Sequence, residues 1–251
     1  MKHTFIFAAF LCCAATLISC EKEPGSLPGK QRVRCYEYGA KTEGFTSCTR
    51  ETYSYDNKGR VTEVAYDDGK KQSVALYTYG NNSITVTIKP AKDSPLVTEV
   101  YKYTLGEIGF INKITITTED KTTEYNVLYD ADGHLKGVEE GMEMKWTDGE
   151  YTGYFLYTLK ASNIPFHGFV PYNAIPGAAT DAALYRQGLF GKVSAHLPGE
   201  LSVNGLSQET TTFEYSLTDG RVQSVKETIL SKPILGEEKT EYRYSRVTWA
   251  E

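Results

Sequence analysis

The sequence predicts an all-β fold: a strongly curved antiparallel meander sheet or barrel, with one short helix and an irregular segment near 161–201. Three observations carry this. An aromatic doublet recurs at a spacing of two, as YEY at Tyr36, YSY at Tyr53, YTY at Tyr77, YKY at Tyr101, FLY at Phe155, FEY at Phe213 and YRY at Tyr242. Residues i and i+2 share one face of a strand, so each doublet sets two rings on the same side of a sheet. Between the doublets sit DNKG, DDGK, GNNS, DADG, TDGE and LTDG, turn signals at the close spacing of a meander. Nineteen Tyr against 3 Met, with Thr and Val abundant, suit half-buried strands better than helices.

In chain order, Lys2 and His3 precede an apolar run from Phe5 to Ile18 broken only by Thr16. The run is short for a membrane-spanning helix and reads as the core of a signal peptide over residues 1–19. LISC, Leu17 to Cys20, resembles a bacterial lipobox, in which the Cys20 thiol takes a diacylglyceryl group and the small Ser19 admits the peptidase. Residues 20–30 are then a flexible tether, because EKEPGSLPGK is rich in charge, Gly and Pro and lacks a hydrophobic period. The EKE beside the anchor resembles the acidic signal that sends Bacteroidetes lipoproteins to the outer face of the outer membrane. The expected address is exported and lipid-anchored to the outer membrane, at the cell surface or facing the periplasm.

Residues 31–251 are expected to form a single β domain. Cys35 and Cys48 flank YEYGAKTEGFTS, which reads as two strands around a turn. A hairpin centred between Lys41 and Thr42 sets Cys35 opposite Cys48, so the two form a cross-strand disulfide or remain free thiols. No His or third Cys lies near enough to make a metal site there. Further on, SITVTI places Ile84, Val86 and Ile88 on one face, and NKITITT does the same with Ile114 and Ile116.

YSYDNKGRV at Tyr53 has weaker copies at Leu128 and Phe213. In the first, Asp56 accepts backbone N–H bonds as the opening residue of a type I turn, and Gly59 takes the left-handed conformation that follows. Gly133 and Gly220 hold that place in the copies, and apolar residues resume two and five positions past each Gly. The motif is a corner between strands. Asp130 and Asp132 lack the later ligands and closing Glu of a calcium loop, so no metal and no cofactor is expected.

From Ala161 to Leu201 the β rhythm stops, with Pro165, Pro171, Pro176 and Pro198 and a short helix, Asp181 to Gln187, capped by Thr180 and ended by Gly188. A long irregular segment inside a domain is either a plug or functional. As a plug, Phe166, Phe169, Tyr172, Leu184, Leu189 and Phe190 fill the mouth of the curved sheet. As a pocket wall, the segment offers His167 and Tyr172 to a glycan or lipid ligand, with Trp146, Trp249 and the Tyr rows as stacking surfaces.

The formal charge of −5 becomes about −6 without the leader and its single Lys2, which disfavours nucleic acid and anionic lipid. No GxSxG elbow exists, and Asp181, Ser194 and His167 or His196 make only a trio that any chain of this length offers. The expected function is non-catalytic, as a binding or scaffold module whose partner is an envelope protein or a small glycan or lipid ligand.

The hairpins weakly resemble the tyrosine-aspartate repeats of rearrangement-hot-spot and teneurin shells, although Gly59, Gly133 and Gly220 are far from regularly spaced. The lipobox, LYDADGHLKGV, KWTDGEY at Lys145 to Tyr151 and LYRQGLFGKVSAHLPGEL together resemble Bacteroidetes lipoproteins of the domain-of-unknown-function family numbered 4595. That resemblance implies a porin-like fold and no established activity. Strands such as KTTEYNV and EKTEYRY have one aromatic face only, and VTWAE lacks a terminal aromatic residue, so a soluble barrel rather than a membrane barrel is expected.

Overall fold

The structure is a computed structural model that describes residues 31–91, 98–138, 143–171, 181–205 and 207–251. The expected signal peptide, Cys20 and tether lie outside these residues, as do Tyr172, Pro176 and Thr180.

Eight strands come first: β1 (Val33–Ala40), β2 (Thr49–Tyr55), β3 (Val61–Asp67), β4 (Gln72–Tyr79), β5 (Ser83–Pro90), β6 (Glu99–Leu105), β7 (Ile111–Thr117) and β8 (Thr122–Tyr129). Four shorter or irregular ones follow, β9 (Leu135–Val138), β10 (Met144–Thr147), β11 (Glu150–Tyr154) and β12 (Tyr157–Pro165). After the helix α1 (Ala182–Arg186) come β13 (His196–Asn204), β14 (Gln208–Thr218), β15 (Arg221–Lys232) and β16 (Lys239–Trp249). Each strand pairs antiparallel with its chain neighbour except β9 with β10, and β16 returns to pair with β1. The result is a 16-stranded, nearly closed barrel whose two edges are β9 and β10.

Alternation decides which face is inside. Tyr103 and Ile114 are an inward pair on β6 and β7, both buried, while Lys102 and Thr104 face outward beside Thr115 and Lys113. On β14, Thr211 and Phe213 are buried and Thr210, Thr212 and Glu214 point out. The apolar residues therefore line the inside and the polar ones the outside, the reverse of a barrel whose outer wall meets acyl chains.

Five doublets pack against the core as expected: Tyr36–Tyr38, Tyr53–Tyr55, Tyr77–Tyr79, Tyr101–Tyr103 and Phe213–Tyr215. Two do not. Tyr242 and Tyr244 sit on the outer face, because Ser245, Val247 and Trp249 are the buried residues of β16 and parity sends the Tyr residues outward. Phe155 stands in the β11–β12 turn at φ 47°, 73% exposed, and its neighbour Tyr157 stacks on Tyr154 at 5.0 Å.

The corner motif has a structural cause that explains its odd spacing. In the first copy Asp56 Oδ1 accepts from Lys58 N (3.0 Å) and Arg60 N (2.9 Å), and Gly59 has φ 82°. Val61 then faces Tyr55, but Glu63 faces Ser54, leaving Thr62 without a partner. This one-residue bulge lets both Val61 and Val64 point inward although they are three apart. The same shift follows the turn at Ile111/Ile114, Leu135/Val138, Tyr151/Tyr154 and Val222/Val225. The sequence reading missed the copy at Gly106–Ile111, in which Gly109 has φ 79°. It also placed Gly220 in the wrong turn: Asp219 (φ 51°) and Gly220 (φ 74°) form a two-residue hairpin with both φ positive, the I′ type, which matches strand twist directly.

Every connection from an even-numbered strand to the next odd one lies at the same rim of an antiparallel barrel. That rim bears all five bulged corners and the β12–β13 connection. The start of β1 and the end of β16 meet there too, through Ala250 N to Arg32 O at 2.8 Å.

The Cys35–Cys48 pairing needs correction. The observed register sets Cys35 opposite Thr52 and Tyr38 opposite Thr49, so Cys48 lies about 13 Å further along the ladder by strand rise, and both thiols are free. Phe45 accounts for the shift. It leaves the ladder at φ 51° to lie 4.6 Å beneath the Arg246 guanidinium. Between the two thiols, Glu37 accepts from Arg50 Nη2 (2.8 Å) and Arg246 Nε (2.7 Å).

Candidate functional site

The β12–β13 connection runs into the barrel. Phe169, Leu184, Leu189 and Phe190 are each at most 1% exposed, and Phe166 packs at the edge of the same cluster. Phe169 meets Tyr36 edge-on at 5.1 Å and Phe190 meets Tyr103 edge-on at 6.0 Å. The aromatic rows are thus the socket of the plug. Such edge-to-face pairs add roughly 0.5–1.5 kcal/mol each beyond their buried area.

Three polar side chains from α1 and its flanks fix the plug. Asp181, not Thr180, is the helix cap: its Oδ1 accepts from Leu184 N (2.9 Å) and its Oδ2 from Tyr77 OH (2.9 Å). Gln187 Oε1 accepts from Val61 N (3.2 Å), so the plug satisfies a strand amide next to a corner. Arg186 is buried with rings of Tyr36, Tyr53 and Phe169 within 6 Å of its guanidinium. Its Nη1 donates to Tyr53 OH (2.6 Å) and its Nη2 to Val170 O (3.1 Å). Tyr53 OH in turn donates to Glu51, which also accepts from Tyr38 OH (3.2 Å) and lies 3.9 Å from Arg186. Sequence reasoning missed this network. The signal was the charged pair Glu51 and Arg186, each sitting where its strand or helix period demands an inward residue.

Burial raises the Asp181 pKa above its ordinary 3.8, against the lowering effect of its hydrogen bonds. A carboxyl whose folded pKa is raised contributes stability below its unfolded pKa and loses it as pH rises through the folded value. Asp181→Asn keeps a good cap and a partner for Tyr77. The variant is expected to match the wild type in urea midpoint at pH 4 and to exceed it at pH 8. A wild type that gains on the variant as pH rises would show the reverse sign.

Beyond α1 the chain returns to the rim. Glu150 on β11 clasps it: Ser194 Oγ donates to Oε2 (2.5 Å), His196 N donates to Oε2 (3.2 Å), and His196 Nδ1 lies 2.5 Å from Oε1. Burial opposes ionisation of Glu150, but these bonds outweigh it and hold its pKa below the usual range. Ser, His and an acid are therefore neighbours, in an order unlike a nucleophilic triad. The carboxylate stands between serine and histidine, so the imidazole does not face the hydroxyl it would have to deprotonate. Asp181, the acid expected from sequence, is instead committed to Tyr77 and α1.

The remaining sequence candidates separate. His167 is exposed. Trp146 is half-buried, stacked on His134 at 4.5 Å, and donates from Nε1 to Leu135 O (2.8 Å). Trp249 is buried and donates to Val222 O (2.7 Å). The indole of Trp146 is thus spent on the barrel, whereas Trp249 also borders an open cavity of about 650 Å³ with Arg221 and Arg246. A cavity beside the plug, between Tyr151, Phe166, Tyr185 and His196, measures about 10 Å³, room for at most one water.

Asp130, Asp132 and His134 offer ligand atoms within 4.8 Å of one another. Their geometry is that of the corner: Asp130 Oδ1 accepts from Asp132 N and His134 N, and Oδ2 faces His134 Nδ1 at 3.1 Å. Arg60 holds the same place against Asp56 in the first copy, with Nε 2.8 Å from Oδ2, so a basic side chain closing the turn is the common element.

With this geometry described, comparison with known proteins gives a likeness of fold. No family model matches the chain, and no curated protein does. Among solved structures, a porin-like protein from Bacteroides uniformis is similar over 90% of this chain and 100% of its own, with a TM-score of 0.66 at 18% identity. The fold is porin-like. A second porin-like protein, from Bacteroides vulgatus, aligns over 86% of this chain and 98% of its own at 11% identity, with a TM-score of 0.29.

Proposed function

We propose that the chain is a lipid-anchored envelope protein of the kind grouped in the domain-of-unknown-function family numbered 4595, acting without catalysis as a scaffold for another envelope protein. The observation that supports this is the packed interior: among the described residues the aromatic rows pack against the chain's own plug, and the cavity beside it measures about 10 Å³. The outer wall of Thr, Lys, Glu and Arg suits water, so Cys20 supplies the membrane contact. β1 begins at the plug rim, so an anchor on Cys20 places that rim toward the lipid.

Two measurements test this reading. Cells expressing the protein should incorporate an alkyne fatty acid into it, and Cys20→Ser should abolish the label and release the protein from membranes. Label retained in the variant would sink the anchor. In a thermal-shift panel of glycans, fatty acids, bile salts and divalent ions no midpoint shift is expected, whereas crosslinking on intact cells should capture a discrete envelope protein. A reproducible shift with one chemical class would replace the scaffold with a binding module, since a ligand of the folded state raises the midpoint by mass action.

A further inference from the structure

Among the described residues, β9 and β10 are neighbours without backbone pairing, so the ladder that runs around the barrel stops at this seam. What crosses it is different in kind. Trp146 on β10 donates its indole N–H to Leu135 O on β9 and stacks on His134. The plug's return run, Leu189 to His196, then touches both sides in turn. On one side, Ile111 N at the start of β7 donates to Leu189 O (2.9 Å), and in the β8–β9 corner Lys192 N donates to Gly133 O (2.9 Å) and Lys192 forms an isolated β-bridge with His134, the residue before β9. On the β10–β11 side, Ala195 N reaches Gly149 O (3.4 Å), and Ser194 and His196 are clasped by Glu150.

We propose that this run is a strap, and that the strap and the β9–β10 seam open together as a lateral door at the plug rim. The argument is one of connectivity. Most of the barrel is held by longer ladders, such as the eleven-pair β14–β15 register, which cannot part without breaking many bonds together. Here two four-residue edge strands, consecutive in the chain, are joined among the described residues by one indole, one strap and the exposed Lys136–Glu143 ion pair (3.0 Å), the kind of local unit that opens below the global unfolding free energy. Lifting the strap removes contacts from both edges, so neither edge keeps its position alone.

Hydrogen exchange on the purified protein tests the coupling. Glu150→Ala removes the clasp on the β11 side and touches nothing on β9. It should nevertheless speed amide exchange at least tenfold at Lys136–Val138 as well as at Leu189–His196, leaving β4 and β5 unchanged. Acceleration confined to the strap and β11, with β9 unmoved, would overturn the proposal. A second measurement compares two redox states of one chain. In His134→Cys/Lys192→Cys, with Cys35 and Cys48 replaced by Ser, the oxidised form should exchange more slowly than the reduced form at β10, which carries neither cysteine. Equal β10 exchange in the two forms would also overturn it.

Discussion

Arg186→Ala is expected to destabilise the protein by about 3–5 kcal/mol, the usual cost of removing one partner of a buried charge pair. In a domain of this size that lowers the thermal midpoint by roughly 10 °C. The guanidinium lies among the rings of Tyr36, Tyr53 and Phe169, and its loss strips Tyr53 OH and Val170 O of a donor while leaving Glu51 inside the barrel. Arg186→Met combined with Glu51→Gln should recover part of the loss, because the orphaned charge is then gone too. Thermal and urea unfolding of the two variants checks this. A loss under about 1 kcal/mol for Arg186→Ala would mean that the plug is held by its apolar residues alone.

Gly191→Ala has the next largest expected effect. Gly191 sits at φ 90°, and a Cβ there would stand 2.6 Å from Gly133 O and 2.8 Å from the Tyr129 ring. Neither neighbour can give way freely. Gly133 O already accepts from Lys192 N, and Tyr129 OH donates to Ile111 O at 2.6 Å. Backbone strain and overpacking together cost about 3 kcal/mol or more. Gly188→Ala is the internal control. It shares the positive φ (74°), but nothing lies within 4 Å of its Cβ, so about 1 kcal/mol is expected from strain alone. Equal losses at the two positions would assign the effect to backbone conformation and remove the close strap contact from the account.

How much of this was legible in the sequence varies with the physics of each feature. Period-two doublets announced the strands and the inward face because burial and pleat impose the same alternation, as Ile84 and Val86 or Tyr77 and Tyr79 show. The plug was legible because a cluster of Phe and Leu breaks the period-two pattern, and Phe169, Leu184, Leu189 and Phe190 went where expected, but its bounds were drawn too wide, since Pro165 and Pro198 both lie in the irregular β12–β13 ladder. YRY at Tyr242 misled because a doublet fixes parity without fixing which parity is inside; Val247 and Trp249, on the opposite parity, held that information. The Cys35 register failed because Phe45 was counted as a ladder residue when Arg246, some two hundred positions away, draws it out. The Arg186 network was invisible for the same reason. Its members come from β1, β2 and the plug, and only the closed barrel brings them together.

The central claim is that the aromatic rows form the socket of an internal plug, and hydroxyl-radical footprinting of the folded protein tests it most directly. Tyr36, Tyr53, Tyr77 and Tyr103, none more than 7% exposed, should be protected, while Tyr157 and Tyr242, 37% and 48% exposed, should be modified. Modification of Tyr53, Tyr77 and Tyr103 at rates comparable to Tyr242 would mean that the barrel is open to solvent, and the scaffold reading would give way to one built on an accessible, aromatic-lined interior.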